Sequence, residues 1–159
     1  MSFFVAAGIS IGVLAGIWAQ FCGNIGLLAW IGFVSWACFY AAGGGKAGLG
    51  KTLAANLSGV VWGVVIVAIM GLMNFPFALG VAVVIGAFMM CAQAHIKYLA
   101  FIPGSFAGCA SYFGSNADWK VAAISLICGA ILGYLSEIIA LYLVKIFGKK
   151  ADGSKSTAE

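Results

Sequence analysis

The sequence predicts an all-α integral membrane protein of six transmembrane helices, arranged as a 3+3 inverted-topology repeat. Three observations carry this expectation. The chain is 64% hydrophobic and only 8% charged, about a third of the charge a soluble domain carries, so it lacks the polar surface to cover a water-soluble globule. No charged side chain occurs before Lys46. That run exceeds the ~20 apolar residues that cross a bilayer once, and it suffices for two crossings. Finally, features of the first half recur in the second after a shift of about seventy residues.

The spans follow in order. The first, about 3–22, opens on MSFF, which lacks the basic leader of a removable signal peptide. It carries Gly8, Gly12 and Gly16, four apart and so on one helix face. After Gly23-Asn24 comes the second, about 25–43, containing Ser35-Trp36-Ala37-Cys38. A lysine-glycine loop over 43–51 leads to the third, about 52–72, with Thr52 as its cap and Ala55, Gly59 and Gly63 on one face. MNFP separates it from the fourth, about 75–94, with Ala78, Ala82 and Gly86. The fifth, about 97–114, holds Pro103 and Gly104 inside the span, where the missing proline donor predicts a helix break. SNADWK precedes the sixth, about 121–147, with Ser125, Gly129 and Gly133. Residues 1–72 and 73–147 are thus two three-helix halves, and 148–159 a polar tail. Strands are excluded because no period-two alternation occurs, and only helices or closed barrels satisfy the backbone in lipid. The stripes of small residues predict close helix packing.

The lysines orient these spans. With six crossings, Lys46, Lys51, Lys97, Lys145, Lys149, Lys150 and Lys155 fall on one side and Lys120 alone on the other. The excess of positive charge predicts that both termini are cytoplasmic. Within the repeat, FVSWACF lies over PGSFAGCA once Gly108 is treated as an insertion, so Ser35 meets Ser105 and Cys38 meets Cys109. Gly59 and Gly63 meet Gly129 and Gly133, and, with a slightly longer shift, Gln20 meets Gln93. Three helices per half invert the second half in the membrane. In transporters of that design the site lies near the midplane, at the repeat interface.

Polar residues inside the spans are therefore the candidate functional ones. Ser35, Ser105, Gln20, Gln93 and Asn56 supply neutral polarity for a pathway, and Pro103-Gly104 a helix break beside it. Glu137 is the one clear intramembrane charge, with snorkelling to the interface, pairing to Lys97 or His95, or proton and cation handling as its expected roles. Residues 45–52, GKAGLGKT, match the phosphate-loop pattern. That pattern works only between a strand and a helix of a soluble domain, with metal ligands at hand. Here a membrane helix precedes it and no acid occurs before Asp118, so the stretch reads as a glycine loop whose lysines meet anionic lipid. No nucleotide is expected. With no arginine and a net charge of +4 from lysine, neither is nucleic acid. A single histidine and no paired carboxylates argue against an enzyme. Five scattered cysteines without a C-x-x-C pair predict reduced thiols and no metal or cofactor.

GLLAWIGFVSWACFYAAGG, LSGVVWG, FIPGSFAGCASYFG, DWK and GAILGY, in that order, resemble the YcdZ-like bacterial inner-membrane proteins, a family catalogued as domain of unknown function 1097. The resemblance implies a small multi-pass inner-membrane protein and brings no established activity or site residue. The residues themselves predict a channel or facilitator for a small neutral or weakly ionised polar solute, working as a homo-oligomer. A membrane scaffold or accessory subunit that docks a partner protein is the alternative.

Overall fold

The computed structural model describes residues 1–147; the tail at 148–159 lies outside them. Six α-helices are present among the described residues: α1 (Phe3–Phe21), α2 (Ala29–Ala41), α3 (Gly45–Gly71), α4 (Ala78–Ala92), α5 (Ile102–Gly114) and α6 (Trp119–Phe147). Short 3-10 turns follow α1 at Cys22–Ile25 and α4 at Gln93–His95.

Four of these segments are long and apolar enough to cross a membrane: Phe3–Ile25, Gly45–Gly71, Ala78–His95 and Trp119–Phe147. The other two helices, α2 and α5, have 13 residues each. That is about 20 Å of helix, against a hydrocarbon core of about 30 Å. The sequence predicts longer spans there because the residues before each helix are apolar too. Their backbone is not helical. Gly26, with φ 73°, closes the turn after α1 in a left-handed conformation. Pro103 sits in the first turn of α5, and proline disfavours helix in the residues ahead of it. Pro103 and Gly104 therefore start a helix and do not break one, since at this position the missing N–H has no helical partner to lose.

The predicted loop over 43–51 is also shorter than expected. Gly43, Gly44 and Gly45 turn the chain with φ of 101°, 66° and 61°, and GKAGLGKT forms the opening turns of α3. Thr52 lies inside that helix; the capping position belongs to Gly44, which offers no side chain.

The centre of the bundle is α3 and α6. Helix α3 packs on α5 and α4, α6 packs on α2 and α1, and the two pack on each other. The tightest crossings exist because side chains are missing. A Cβ on Gly59 would fall on the carbonyl oxygen of Ser105, one on Gly108 on that of Asn56, and one on Gly129 on that of Gly32. One turn along, Gly63 lies against the Tyr112 ring and Gly133 against Phe39. Gly8, Gly12 and Gly16 have the same spacing but nothing within 4 Å of their Cβ positions; that stripe faces outward. At one end of the bundle the Met1 ammonium donates to the Phe147 carbonyl at 2.9 Å, so the two ends of the described chain lie together.

These contacts separate glycines that look alike in sequence. Gly59→Ala must push α5 off α3, and such overpacking costs about 1–3 kcal/mol or more. Gly12→Ala meets no obstacle and gains up to about 1 kcal/mol of helix propensity. Thermal unfolding in detergent should lower the midpoint for the first variant and leave it level or raised for the second.

Candidate functional site

Polar side chains inside the bundle gather around its middle. Ser58 is the midpoint of α3 and Ser35 the midpoint of α2. Around Ser58 the hydrogen bonds run in one direction. Trp62 Nε1 donates to Gln93 Oε1 at 2.9 Å, and Gln93 Nε2 donates to Ser105 Oγ at 2.8 Å and to Ser58 Oγ at 3.0 Å. Ser58 Oγ gives its proton to the Ala55 carbonyl at 2.7 Å. A hydroxyl has one proton, so in the 3.1 Å contact between the two serines Ser105 is the donor. Ser105 is fully buried and Gln93 half-buried.

A second network joins α6 to α1 and α2. Ser136 Oγ donates to the Gly133 carbonyl at 2.7 Å and accepts from Trp36 Nε1 at 3.1 Å. Its proton being committed, Tyr40 is the donor in their 2.8 Å contact. Ser10 Oγ reaches the Ser136 carbonyl at 2.8 Å. Sequence reasoning missed this group. The available signal was position: Ser136 continues the buried face of Gly129 and Gly133.

The third group is smaller. Asn56 Nδ2 donates to Ser35 Oγ at 2.8 Å. Asn56 Oδ1 and Thr52 Oγ1 are buried with no hydrogen-bond partner among the described residues. Ser35 and Ser105 thus both lie in the interior but in different networks. Gln20 is exposed on α1 while Gln93 points inward. Gly104 packs against Ala55 and Phe101.

The two acidic residues of the described chain do one job. Glu137 Oε2 accepts from the Gly45 N–H at 2.7 Å, at the start of α3. Asp118 Oδ1 accepts from the N–H groups of Lys120 and Val121 at 3.0 and 3.1 Å, at the start of α6. Helix N-termini leave N–H groups unpaired and carry partial positive charge, so a carboxylate is favoured at each. The predicted pairing of Glu137 with Lys97 or His95 is replaced by this backbone contact, because the turn at Gly43–Gly45 carries the end of α3 to α6. No three His, Cys, Asp or Glu side chains converge among the described residues.

Residues 8–141 match the family described as "Protein of unknown function (DUF1097)". The chain belongs to that family. It is 37% identical to inner membrane protein YcdZ of Escherichia coli K12, over 95% of this chain and 94% of the relative. It is 34% identical to the uncharacterized protein YahC of the same strain, over 86% of this chain and 90% of that one. YcdZ of Salmonella typhimurium LT2 is 35% identical over 90% of this chain and 91% of its own. No solved structure matches. With four membrane-length apolar helices and relatives of that name, the DUF1097 chain is a membrane-embedded protein.

The remote cap at Glu137 can be tested against its charge. Glu137→Ala removes the acceptor and should cost about 0.5–2 kcal/mol, the range for lost helix caps. Glu137→Gln keeps an acceptor and loses only the charge, worth about 0.3–1 kcal/mol at a helix end. Chemical or thermal unfolding should rank wild type, Gln and Ala in that order; equal midpoints for all three would remove the capping role.

Proposed function

We propose that this protein is a channel or facilitator for a small neutral or weakly ionised polar solute in the inner membrane, built as a 3+3 inverted repeat. The observation that carries the reading is the band of neutral polar side chains at mid-bundle: Ser35, Asn56, Ser58, Gln93 and Ser105. Such groups are expensive in lipid and mark pathways. Both acids of the described chain are engaged at helix N-termini, which leaves no carboxylate in the band to bind a cation. Ser35, Asn56 and Ser105 are fully buried, so passage needs side-chain movement and suits molecules a few heavy atoms in size.

Matching contacts in the two halves support the repeat. An offset of 73 carries Ala29–Ala41 onto Ile102–Gly114, and an offset of 70 carries Gly59 and Gly63 onto Gly129 and Gly133. With these offsets Gly59 on the Ser105 carbonyl corresponds to Gly129 on that of Gly32, and Gly63 on Tyr112 to Gly133 on Phe39. The contacts favour pairing Ser105 with Gly32, in place of the Ser35 match read from sequence, and they need no insertion at Gly108. The lysine distribution supports cytoplasmic termini, and two relatives are named inner membrane proteins.

One observation favours the second reading, a scaffold or accessory subunit. The outward stripe of Gly8, Gly12 and Gly16 is shaped for a close helix neighbour, from a second copy or a partner. Gly12→Leu would then alter the size or composition of the purified assembly.

The test of the first reading is solute permeability of liposomes at increasing protein density, with water, ammonia, urea, glycerol and short carboxylic acids. Flux of one class should rise with density and fall in Gln93→Leu, which strips the donor from Ser58 and Ser105. Silence across the panel, from protein shown to be folded, overturns it in favour of the accessory role.

A further inference from the structure

Two buried side-chain polar atoms stand out because, among the described residues, they alone lack a hydrogen-bond partner. Thr52 Oγ1 and Asn56 Oδ1 have no partner among the described residues, and both residues are fully buried. They are four apart on α3, hence neighbours on one face. That face is defined at both ends. A Cβ on Gly48, one turn before Thr52, would stand 3.3 Å from the Phe39 carbonyl oxygen, and Asn56 is bonded to Ser35. Thr52 therefore faces α2 between Phe39 and Ser35. On the adjoining face Ala55 meets Gly104 at the start of α5. A cavity of about 250 Å³ lies beside Lys51, the residue before Thr52, lined by Ala41, Ala42, Lys51, Ala100 and Phe101; Thr52 and Asn56 lie beneath the surface, outside its lining. Under the offset of 73, Ala41 corresponds to Gly114. There the ring of Trp30 occupies the space a side chain would take.

We propose that Thr52, Asn56 and Ser35 form a buried site for one small neutral hydrogen-bonding molecule, of the size of water or ammonia, reached from the Lys51 cavity. Buried polar groups in native proteins are paired with protein or with an ordered small molecule. Asn56 Oδ1 only accepts, so the ligand donates to it; the Thr52 hydroxyl serves as either partner. A bound cation would need compensation that the site lacks, since the carboxylates of Glu137 and Asp118 are at helix ends. That the ligand is also the passing solute rests on the facilitator reading; that it binds does not.

The decisive variant is Thr52→Val, which keeps the shape and removes the hydroxyl. If the hydroxyl holds a ligand, the midpoint of thermal unfolding falls by about 2–4 °C, the effect of one lost hydrogen bond in a chain of this length, and water or ammonia flux into proteoliposomes falls about tenfold. Thr52→Ser, which keeps the hydroxyl, should behave as wild type; it secures the comparison should the valine variant fold too poorly to measure. A midpoint for Thr52→Val that is unchanged or raised overturns the site, because removing an orphaned hydroxyl is neutral or stabilising. A lowered midpoint, with wild-type flux no greater than empty liposomes, keeps the site and sinks the facilitator reading. A wild-type midpoint that rises with sodium and loses that response in Thr52→Val overturns the neutral ligand in favour of a cation.

Discussion

The bundle depends on backbone meeting backbone at two crossings. Where α3 crosses α5, Gly59 admits the Ser105 carbonyl and Gly108 admits that of Asn56; where α6 crosses α2, Gly129 admits the Gly32 carbonyl. In lipid the hydrophobic effect does not draw helices together, because the tails are as apolar as the side chains. Close approach supplies dispersion contacts instead, and only glycine allows it. The polar networks follow from those crossings. Ser105 meets Ser58 only because α5 lies this near α3. Ser136 reaches Trp36 and Tyr40 because α6 lies equally near α2.

The second constraint is that water is unavailable to satisfy interior polar groups. It explains why the networks run in one direction. At Ser58 and Ser136 alike, the serine gives its proton to a carbonyl three residues back in its own helix. Its oxygen is then left as a pure acceptor for donors on neighbouring helices. A serine used this way costs the helix little and tells its neighbours which group must face it. Against two networks in which protons and acceptors match, unmatched atoms at Thr52 and Asn56 are conspicuous.

Much of the fold was legible in the sequence, and its limits are physical. Spacing of four shows which residues share a helix face, so Gly59, Gly63, Gly129 and Gly133 could be marked for packing. It does not show what covers that face, which is why Gly8, Gly12 and Gly16 gave the same signal while lying open. Hydropathy marked six apolar stretches but could not see that Gly26 and Pro103 shorten two of the helices. GKAGLGKT matched a loop pattern because patterns record letters; its backbone is helical once Gly43–Gly45 have made the turn. The partner of Glu137 lies 92 residues away in the chain, and no local pattern contains it.

The two central helices start in the same way and meet the same need from different places. Each long central helix follows a turn with left-handed residues, Gly43 to Gly45 before α3 and Asn116 and Ala117 before α6. Each needs a carboxylate at its N-terminus. For α6 the acid is local, Asp118 at the turn itself. For α3 the corresponding turn is all glycine, and the acid comes from α6 as Glu137. The remote arrangement ties the α2–α3 turn to α6, which also carries Ser136 and the α2 crossing. One end of the bundle is thereby latched between α3 and α6, and at the other end the Leu28 N–H ahead of α2 donates to Ser125 Oγ of α6 at 3.2 Å, so both ends are tied across the two halves. The Lys51 cavity lies on the side of the Glu137 contact, close to the start of α3.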